Sequence, residues 1–177
     1  MGWSQRHRRG DRSLRVRLAT SHDIPALPQI ERSAGEAFRG TDQAWIADDI
    51  VAEADAYPPL IEAGGVWVAE DDNGVVAGFI STKPLGGALH ILELAVGHEH
   101  QRKGVGRGLM DAVLAEARRS GHRAATLTTF RSIPWNAPFY ARLGFKLLDT
   151  PPAALAAILA EEAARGQTDR CAMRLTF

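Results

Sequence analysis

Apolar and polar positions along the chain predict strands and helices in mixed order. Apolar residues alternate with polar ones over 14–18, which is typical of a strand with one buried face. Over 24–34 apolar residues recur at helical spacing, and the preceding segment 20–23 carries helix-capping residue types. A second helix is predicted over 43–54, and the Tyr-Pro-Pro sequence at 57–59 is predicted to end this helical stretch.

The rest of the chain predicts a sheet interrupted by helices. Three consecutive strands are predicted over 66–69, 75–81 and 88–96, because glycine-bearing turn sequences separate three apolar runs. The third run is almost continuously apolar, which predicts a central position in the sheet. Spacing with a period of 3.6 begins at Val105, and Gly121 ends that helix. The remaining predicted elements are a strand over 124–130, a short helix over 136–143, a strand over 145–148, an alanine-rich helix over 151–165 and a strand over 170–177.

Composition and charge indicate one globular domain and exclude several other classes. The chain has 177 residues, 45% hydrophobic and 24% charged, so a single domain over 14–177 is expected to bury a core without disulfides or metals. Lys plus Arg and Asp plus Glu both number 21, which gives no support for a nucleic-acid surface. There is no apolar run long enough for a membrane span, and no apolar segment typical of a signal peptide. With Cys171 as its one cysteine, the protein is expected to be cytoplasmic.

Arginines are concentrated near the N-terminus. Arg6, Arg8, Arg9 and Arg12 all lie within residues 1–13. We interpret this segment as a basic, flexible arm in solvent. Contact with an acidic partner or with a cofactor phosphate is the alternative.

The junction between the central strand and the long helix carries the most informative chemistry. A polar loop with Gly104 and Gly106 joins the two elements, and Arg102, Lys103 and Arg107 lie beside the glycines. The first turn of a helix leaves N–H groups without partners, and the helix dipole adds positive charge there, so a phosphate or pyrophosphate is a natural ligand. Neither a P-loop nor a dinucleotide-binding glycine pattern matches, and ordinary turn chemistry is the alternative.

These residues resemble the GCN5-related N-acetyltransferase (GNAT) family. The segment Gln101-Arg-Lys-Gly-Val-Gly106 matches the family signature Q/R-x-x-G-x-G/A, and Phe139-Tyr-Ala-Arg-Leu-Gly-Phe145 matches a second family segment. The order of elements agrees over nearly the whole chain. The resemblance implies an α/β fold of the α+β type, with a central mixed, mostly antiparallel seven-stranded sheet flanked by helices.

The resemblance also implies where a cofactor binds. In this family an acyl group moves from acetyl-CoA to an amine while both substrates are bound. The fourth and fifth strands splay apart, backbone groups of the fourth strand hold the pantetheine arm, and the glycine-bearing loop holds the pyrophosphate. Cofactor contacts are thereby assigned to Leu94, Ala95, Val96, Gln101, Arg102, Lys103, Gly104, Val105, Gly106 and Arg107.

The catalytic acid and base follow from the resemblance and from acid–base chemistry. Tyr140 matches the usual proton donor to the departing thiolate, and a phenol with a pKa of about 10 suits that task, although it also suits an ordinary core aromatic. His90 is one candidate base, because an imidazole accepts protons near neutral pH. Glu93 is another, but three residues along a regular strand place it on the opposite face from His90 unless a bulge intervenes. A residue from the first two helices, or water, is the third alternative.

The chain departs from the family pattern in the segment before the tyrosine. Many members carry an asparagine seven residues before it, where this chain has Ile133. The nearest asparagine is Asn136, which we expect to cap the following helix and to contact the cofactor in addition. Trp135 and Tyr140 stand at the spacing of a hydrophobic staple.

Two other polar groups are weaker candidates. The sequence His-Glu-His at 98–100 matches no usual zinc spacing, so we expect a polar loop and no metal. Asp42, Asp48 and Asp49 lie where the family recognises its acceptor. They are expected to form a solvated helix face, and attraction of a cationic amine is the alternative.

The leading prediction is an acetyl-CoA-dependent N-acetyltransferase that acts on a primary amine of a small molecule. Acetylation of a protein N-terminus or lysine is the first alternative, and a non-catalytic acyl-CoA-binding module is the second, against which the presence of Tyr140 argues. The expected partners are acetyl-CoA and an amine acceptor, without nucleic acid or membrane. A homodimer through the C-terminal strands is a candidate arrangement.

Overall fold

The computed structural model describes residues 14–49 and 51–177, and the predicted arm at 1–13 lies outside them. Its strands are β1 (Arg15–Leu18), β2 (Val66–Glu70), β3 (Val76–Leu85), β4 (Ala88–Val96), β5 (Ala124–Phe130), β6 (Lys146–Leu147) and β7 (Arg170–Thr176). Its α-helices are α1 (Leu27–Gly35), α2 (Pro58–Glu62), α3 (Val105–Arg119), α4 (Ala137–Arg142) and α5 (Ala153–Ala164). Short 3₁₀ helices fill much of the segment between β1 and α2.

The seven strands form one sheet in the order β1-β2-β3-β4-β5-β7-β6. Within the described strands, β4 and β5 are the parallel pair and all other neighbours are antiparallel. A parallel pair needs a long crossover connection, which α3 supplies. The predicted mixed, mostly antiparallel seven-stranded sheet is therefore confirmed.

Helices cover both faces of the sheet. The first core lies between α3 and the sheet and includes Leu109, Val113, Ile80, Ile91 and Leu127. The second core lies on the opposite face, beneath α1, and includes Leu27, Ile30, Val68, Phe79 and Tyr57. α5 packs on β5 and β7. No helix of the described chain is long and apolar enough to cross a membrane.

A charged network fixes the segment that follows β1. Arg17 donates hydrogen bonds to both carboxylate oxygens of Asp23 at 2.8 Å and to Glu70 at 2.8 Å. The Thr20 N–H donates to the same aspartate at 2.7 Å, so the capping predicted for 20–23 is confirmed. The bond from Arg17 is the main reason that the pKa of Asp23 is lowered to about 2, against the opposing effect of burial.

The helix predicted over 43–54 is wrong. The chain forms a 3₁₀ helix at Ala44–Asp48, becomes extended at Asp49, and turns again at Ala54–Ala56. Ala47 is the buried residue of the first turn, and Trp45 is 38% exposed. Apolar spacing alone does not form a helix, because most of a helix's stability comes from tertiary packing.

Two boundaries near prolines and glycines also differ from the prediction. The Pro-Pro pair at 58–59 begins α2 instead of ending a helix, because proline needs no hydrogen-bond partner in the first helical turn. β3 continues to Leu85, beyond its predicted end at 81. The turn that follows is confined to Gly86 and Gly87, which have φ angles of 56° and 80°.

Candidate active site

The two parallel strands separate part-way along their length. β4 and β5 pair from Leu89–Ala125 to Ile91–Leu127, although β4 continues to Val96 and β5 to Phe130. A cleft of about 840 Å³ opens at the separation, within the size range of small-molecule sites. Beyond Ile91, β4 therefore presents to this cleft backbone groups that do not pair with β5.

A β-bulge lies at the start of the separated part of β4. Ile91 pairs with Thr82 and Glu93 pairs with Ser81, so Leu92 is an extra residue without a partner in β3. Since His90 pairs with Lys83, two residues from Ser81, the bulge returns Glu93 to the face that His90 occupies. The bulge, which sequence analysis named as the exception to opposite faces, is therefore present.

The loop before α3 forms one end of the cleft. Gly104 has a φ angle of 88°, a left-handed conformation that favours glycine, and stands at the N-cap of α3. The first backbone bond of the helix runs from the Gly108 N–H to the Gly104 carbonyl at 2.9 Å, so the N–H groups of Val105, Gly106 and Arg107 have no partner within the helix. The Gln101 amide donates to the Val96 carbonyl at 3.1 Å and ties this loop to the end of β4.

Gly106 lies at the start of α3, close to the end of β4. A β-carbon added there would lie 3.6 Å from the Val96 side chain, 3.9 Å from Leu94 and 4.0 Å from the Phe139 ring. All four residues line the cleft. The N-terminus of α3, with its positive dipole end, therefore adjoins the edge of β4 that the separation exposes.

Most residues predicted to bind the cofactor line this cleft. They are Leu94, Val96, Gln101, Arg102, Gly104, Gly106, Arg107 and Asn136. Three others do not line it: Ala95 and Val105 are 1% and 5% exposed and belong to the two cores, and Lys103 is exposed outside it.

Tyr140 lies on α4 with its ring packed among aromatic neighbours. The ring centroids of Phe139 and Phe145 are 5.1 Å and 6.0 Å away. Its hydroxyl makes no hydrogen bond to any described residue, and the side chain lines the cleft. Burial raises its pKa above the ordinary value of 10, and the charge of Glu93 raises it further. The hydroxyl is therefore protonated at neutral pH and available as a proton donor.

Glu93 lines the same cleft as Tyr140. Burial, with a smaller contribution from Glu31, raises its pKa from 4.5 to about 7, while Arg170 acts in the opposite direction. This carboxyl group thus changes its charge near neutral pH, which suits proton transfer.

His90 is buried and lies outside the cleft lining. It is 2% exposed, and its Nδ1 is 3.0 Å from the Thr126 hydroxyl. Burial is the main cause that lowers its pKa to about 4, and the nearby Lys83 lowers it further. The bulge thus places His90 and Glu93 on one face, but only Glu93 reaches the cleft.

Asn136 stands at the N-cap of α4, but its side chain makes no capping hydrogen bond. The capping role predicted for this side chain is wrong, and it lines the cleft instead. Its backbone carbonyl accepts from the Tyr140 N–H at 3.1 Å. Trp135, predicted as the staple partner of Tyr140, packs edge-on against Phe38 at 5.8 Å.

The three aspartates that the sequence analysis considered for acceptor binding lie in different surroundings, and the histidines at 98 and 100 were considered for metal binding. Asp49 lines the cleft, Asp48 pairs with Arg39 at 3.0 Å, and Asp42 is exposed. In the part of the chain that the structure describes, no group of three or more His, Cys, Asp or Glu residues could hold a metal ion.

Sequence analysis missed several polar residues of the cleft. Glu31 enters it from α1, Glu162 from α5 and Arg170 from β7. The last two form a buried ion pair at 2.8 Å. Each is distant in sequence from Glu93 and Tyr140, so no local pattern marks it.

Comparison with known proteins assigns a family to the part of the chain that forms the cleft. Residues 62–147 match the family model described as the acetyltransferase (GNAT) domain. This range includes the bulged strand, the loop before α3 and Tyr140.

Residues 62–147 form a GNAT acetyltransferase domain.

Solved structures with the same fold extend the GNAT likeness beyond the matched range. PaiA N-acetyltransferase from Thermoplasma acidophilum, in complex with coenzyme A, is 17% identical with a TM-score of 0.70, over 93% of this chain and 99% of that one. N-acetylglutamate synthase from Neisseria gonorrhoeae, complexed with coenzyme A and N-acetyl-glutamate, is 18% identical with a TM-score of 0.68, over 94% of this chain and 36% of that one. The ribosomal-protein-S18-alanine N-acetyltransferase from Escherichia coli is 18% identical with a TM-score of 0.65, over 93% of this chain and 94% of that one. The GNAT fold therefore covers nearly all of the chain.

Proposed function

We propose that this GNAT chain transfers an acetyl group from acetyl-CoA to a primary amine of a small molecule, by direct attack while both substrates are bound. The observation that carries the proposal is one continuous cleft. It joins the N-terminus of α3 to Glu93 and Tyr140. An anion site, a proton acceptor and a proton donor thus share one cavity.

The residues at the α3 end fit coenzyme A. Unpaired N–H groups at the start of α3, together with the cations Arg102 and Arg107, suit a pyrophosphate. The exposed edge of β4, at Leu94 and Val96, suits the amide groups of a pantetheine arm, which would hydrogen-bond there as an added strand does. Asn136 offers a further amide. When bound, acetyl-CoA supplies the thioester carbonyl that the amine attacks.

Glu93 and Tyr140 have complementary tasks in this proposal. Glu93, ionised above a pKa of about 7, takes one proton from the acceptor ammonium ion. The neutral amine then forms a bond to the acetyl carbon and the carbon–sulfur bond breaks. Tyr140 gives its proton to the departing thiolate and regains one from the nitrogen, so the products are an amide, a thiol and one released proton.

Side chains from several segments line the cleft, and we take this as support for a small acceptor. Phe38, from the segment after α1, packs against Phe130 and Trp135 at 5.9 Å and 5.8 Å. Arg165 and Gln167, after α5, line the cleft as well. All of these residues line the cavity that Glu93 also lines. Because one of the similar structures acts on a ribosomal protein, peptides belong in the test as the alternative acceptors.

The test is a thiol-release assay with acetyl-CoA against a panel of amines, amino acids and peptides. We expect release with a small primary amine and a loss of about 100-fold or more in kcat for Tyr140→Phe. Calorimetry should show unchanged acetyl-CoA affinity in this variant. Equal turnover would remove Tyr140 from the mechanism, and failure of the wild-type protein to bind acetyl-CoA would refute the proposed function.

A further inference from the structure

Glu31 is a carboxylate of the cleft that the mechanism above leaves without a task. It lies on α1 and lines the same cavity as Glu93. Its Oε2 accepts hydrogen bonds from the Tyr57 hydroxyl at 3.0 Å and from the Ala52 N–H at 3.4 Å. Its other oxygen, Oε1, receives no donor from the described residues and is available to a ligand.

Tyr57 holds this carboxylate from within the core. It is 3% exposed, and its ring packs edge-on against Phe79 at 5.7 Å. Its carbonyl accepts from the Ile61 N–H at 2.9 Å, which fixes its backbone at the start of α2. A buried tyrosine normally directs its hydroxyl to a partner, and here that partner is Glu31.

The charge of Glu31 acts on Glu93. Glu31 raises the pKa of Glu93, whereas Arg170 lowers it. The pKa of Glu31 is itself raised, first by burial and then by Asp49, against the effects of Tyr57, Ala52 and Arg32. Two partly buried carboxylates that share one cavity are stabilised when a cation binds between them.

We propose that Glu31 and Glu93 together bind the acceptor as its ammonium ion, and that Tyr57 is the positioning residue that holds Glu31 for this contact. The proposal rests on the proposed function and names the substrate class for it. Acceptors are amines that are protonated at neutral pH, such as aliphatic primary amines with a pKa of about 10, in preference to arylamines, which arrive neutral. Glu31 attracts the cation, and Glu93 then removes the proton.

Benzylamine and benzyl alcohol provide a matched pair of probes. They have the same ring and nearly the same shape, but only benzylamine carries a positive charge at pH 7. Binding to the full chain is followed by NMR titration. A second titration, of the protein labelled with ¹³C at glutamate carboxyl groups, follows the ionisation of Glu93, whose signal is assigned by its absence in Glu93→Gln.

The informative variants are Glu31→Gln and Tyr57→Phe. Glu31→Gln should weaken benzylammonium binding about tenfold or more, leave benzyl alcohol binding unchanged and lower the pH midpoint of Glu93. Tyr57→Phe keeps the ring against Phe79 and should move both readouts in the same direction by a smaller amount. The control is Glu53→Gln, which removes an exposed charge four residues before Tyr57 and outside the cleft lining. It should change neither the benzylammonium affinity nor the pH midpoint of Glu93.

Two results would overturn the inference. One is a Glu93 midpoint and a benzylammonium affinity that are unchanged in Glu31→Gln. The other is an equal response to Glu53→Gln, which would indicate general surface charge. If these titrations respond as expected but no amine gives thiol release, the ammonium site stands and the proposed acetyl transfer fails. If release occurs and the titrations do not respond, only the role of Glu31 fails.

Discussion

Glu93 and His90 show how single residues of the same strand acquire different chemistry. When exposed, a histidine titrates near neutral pH, whereas a glutamate titrates at a pKa of about 4.3. Burial, helped by the nearby Lys83 and opposed by Glu162, lowers the pKa of His90 to about 4, so it stays neutral at the pH of a cell. Burial disfavours the ionised form of the Glu93 carboxyl group and so raises its pKa to about 7. Burial thus favours the neutral form in both, but only the carboxyl group faces the cleft.

These two residues allow a direct test of the catalytic base. A base must be unprotonated, so kcat/KM of the wild-type protein should rise with pH through about 7 and then level off, following Glu93. We expect Glu93→Gln to lower kcat by about 100-fold or more and to abolish this rise. His90→Gln should retain both the activity and the pH profile. A profile that instead depends on His90 would transfer the role to that residue.

At the scale of elements, two local irregularities build the cleft. The bulge at Leu92 ends the pairing of β4 with β5 and turns Glu93 to the face that also carries His90. The left-handed Gly104 ends the preceding loop and directs α3 so that its N-terminus adjoins the edge of β4. One irregularity positions the proton acceptor and the other positions the anion site.

Gly106→Ala tests the α3 end of the cleft without disturbing the fold. An added β-carbon would make ordinary contacts of 3.6–4.0 Å with Val96, Leu94 and Phe139, and alanine favours helix more than glycine does. The new methyl group would, however, occupy space beside the β4 edge where the pantetheine arm is proposed to lie. We expect calorimetry to show coenzyme A affinity reduced about tenfold or more, with the melting temperature of the free protein unchanged or higher.

The control for this variant is Gly40→Ala, because a β-carbon at Gly40 would meet no atom within 4 Å. Its coenzyme A affinity should match that of the wild-type protein. Undiminished affinity in Gly106→Ala would show that the cofactor does not pass this position.

At the scale of the whole molecule, the cleft is assembled from segments distant in sequence. Glu31 comes from α1, Glu93 from β4, Tyr140 from α4 and Arg170 from β7. Because so many elements contribute, a ligand that fills the cleft is expected to stabilise the folded chain as a unit.

Coenzyme A should therefore raise the thermal stability of the protein. A ligand at about 100 times its Kd stabilises the folded state by about 2.7 kcal/mol, which for a chain of this size corresponds to roughly 5 to 10 °C in Tm. Thermal unfolding with and without coenzyme A measures this shift, and Gly106→Ala should show a smaller one at the same concentration. An unchanged Tm at saturating coenzyme A would contradict the assigned cofactor site.

Several elements could be predicted from the sequence because their signals act over a few residues. β4 and β5 have the predicted bounds of 88–96 and 124–130, and α3 begins at the predicted Val105. The Gln101–Gly106 signature and the segment around Tyr140 indicated the family that the comparisons establish. The helix predicted over 43–54 failed because local spacing does not decide a helix whose stability depends on tertiary packing.

The sequence by itself determined the order of elements from β2 onward, the glycine-bearing helix start and the position of the tyrosine, since caps, turns and apolar periodicity are local properties. The tertiary structure decided which carboxylates share a cavity. A one-residue bulge at Leu92 turned Glu93 to its present face, and the packing of α1 on the sheet brought Glu31 and Tyr57 to the same cleft. Burial and charge coupling depend on neighbours that are far apart along the chain, so their effects on pKa exist only once the fold has formed.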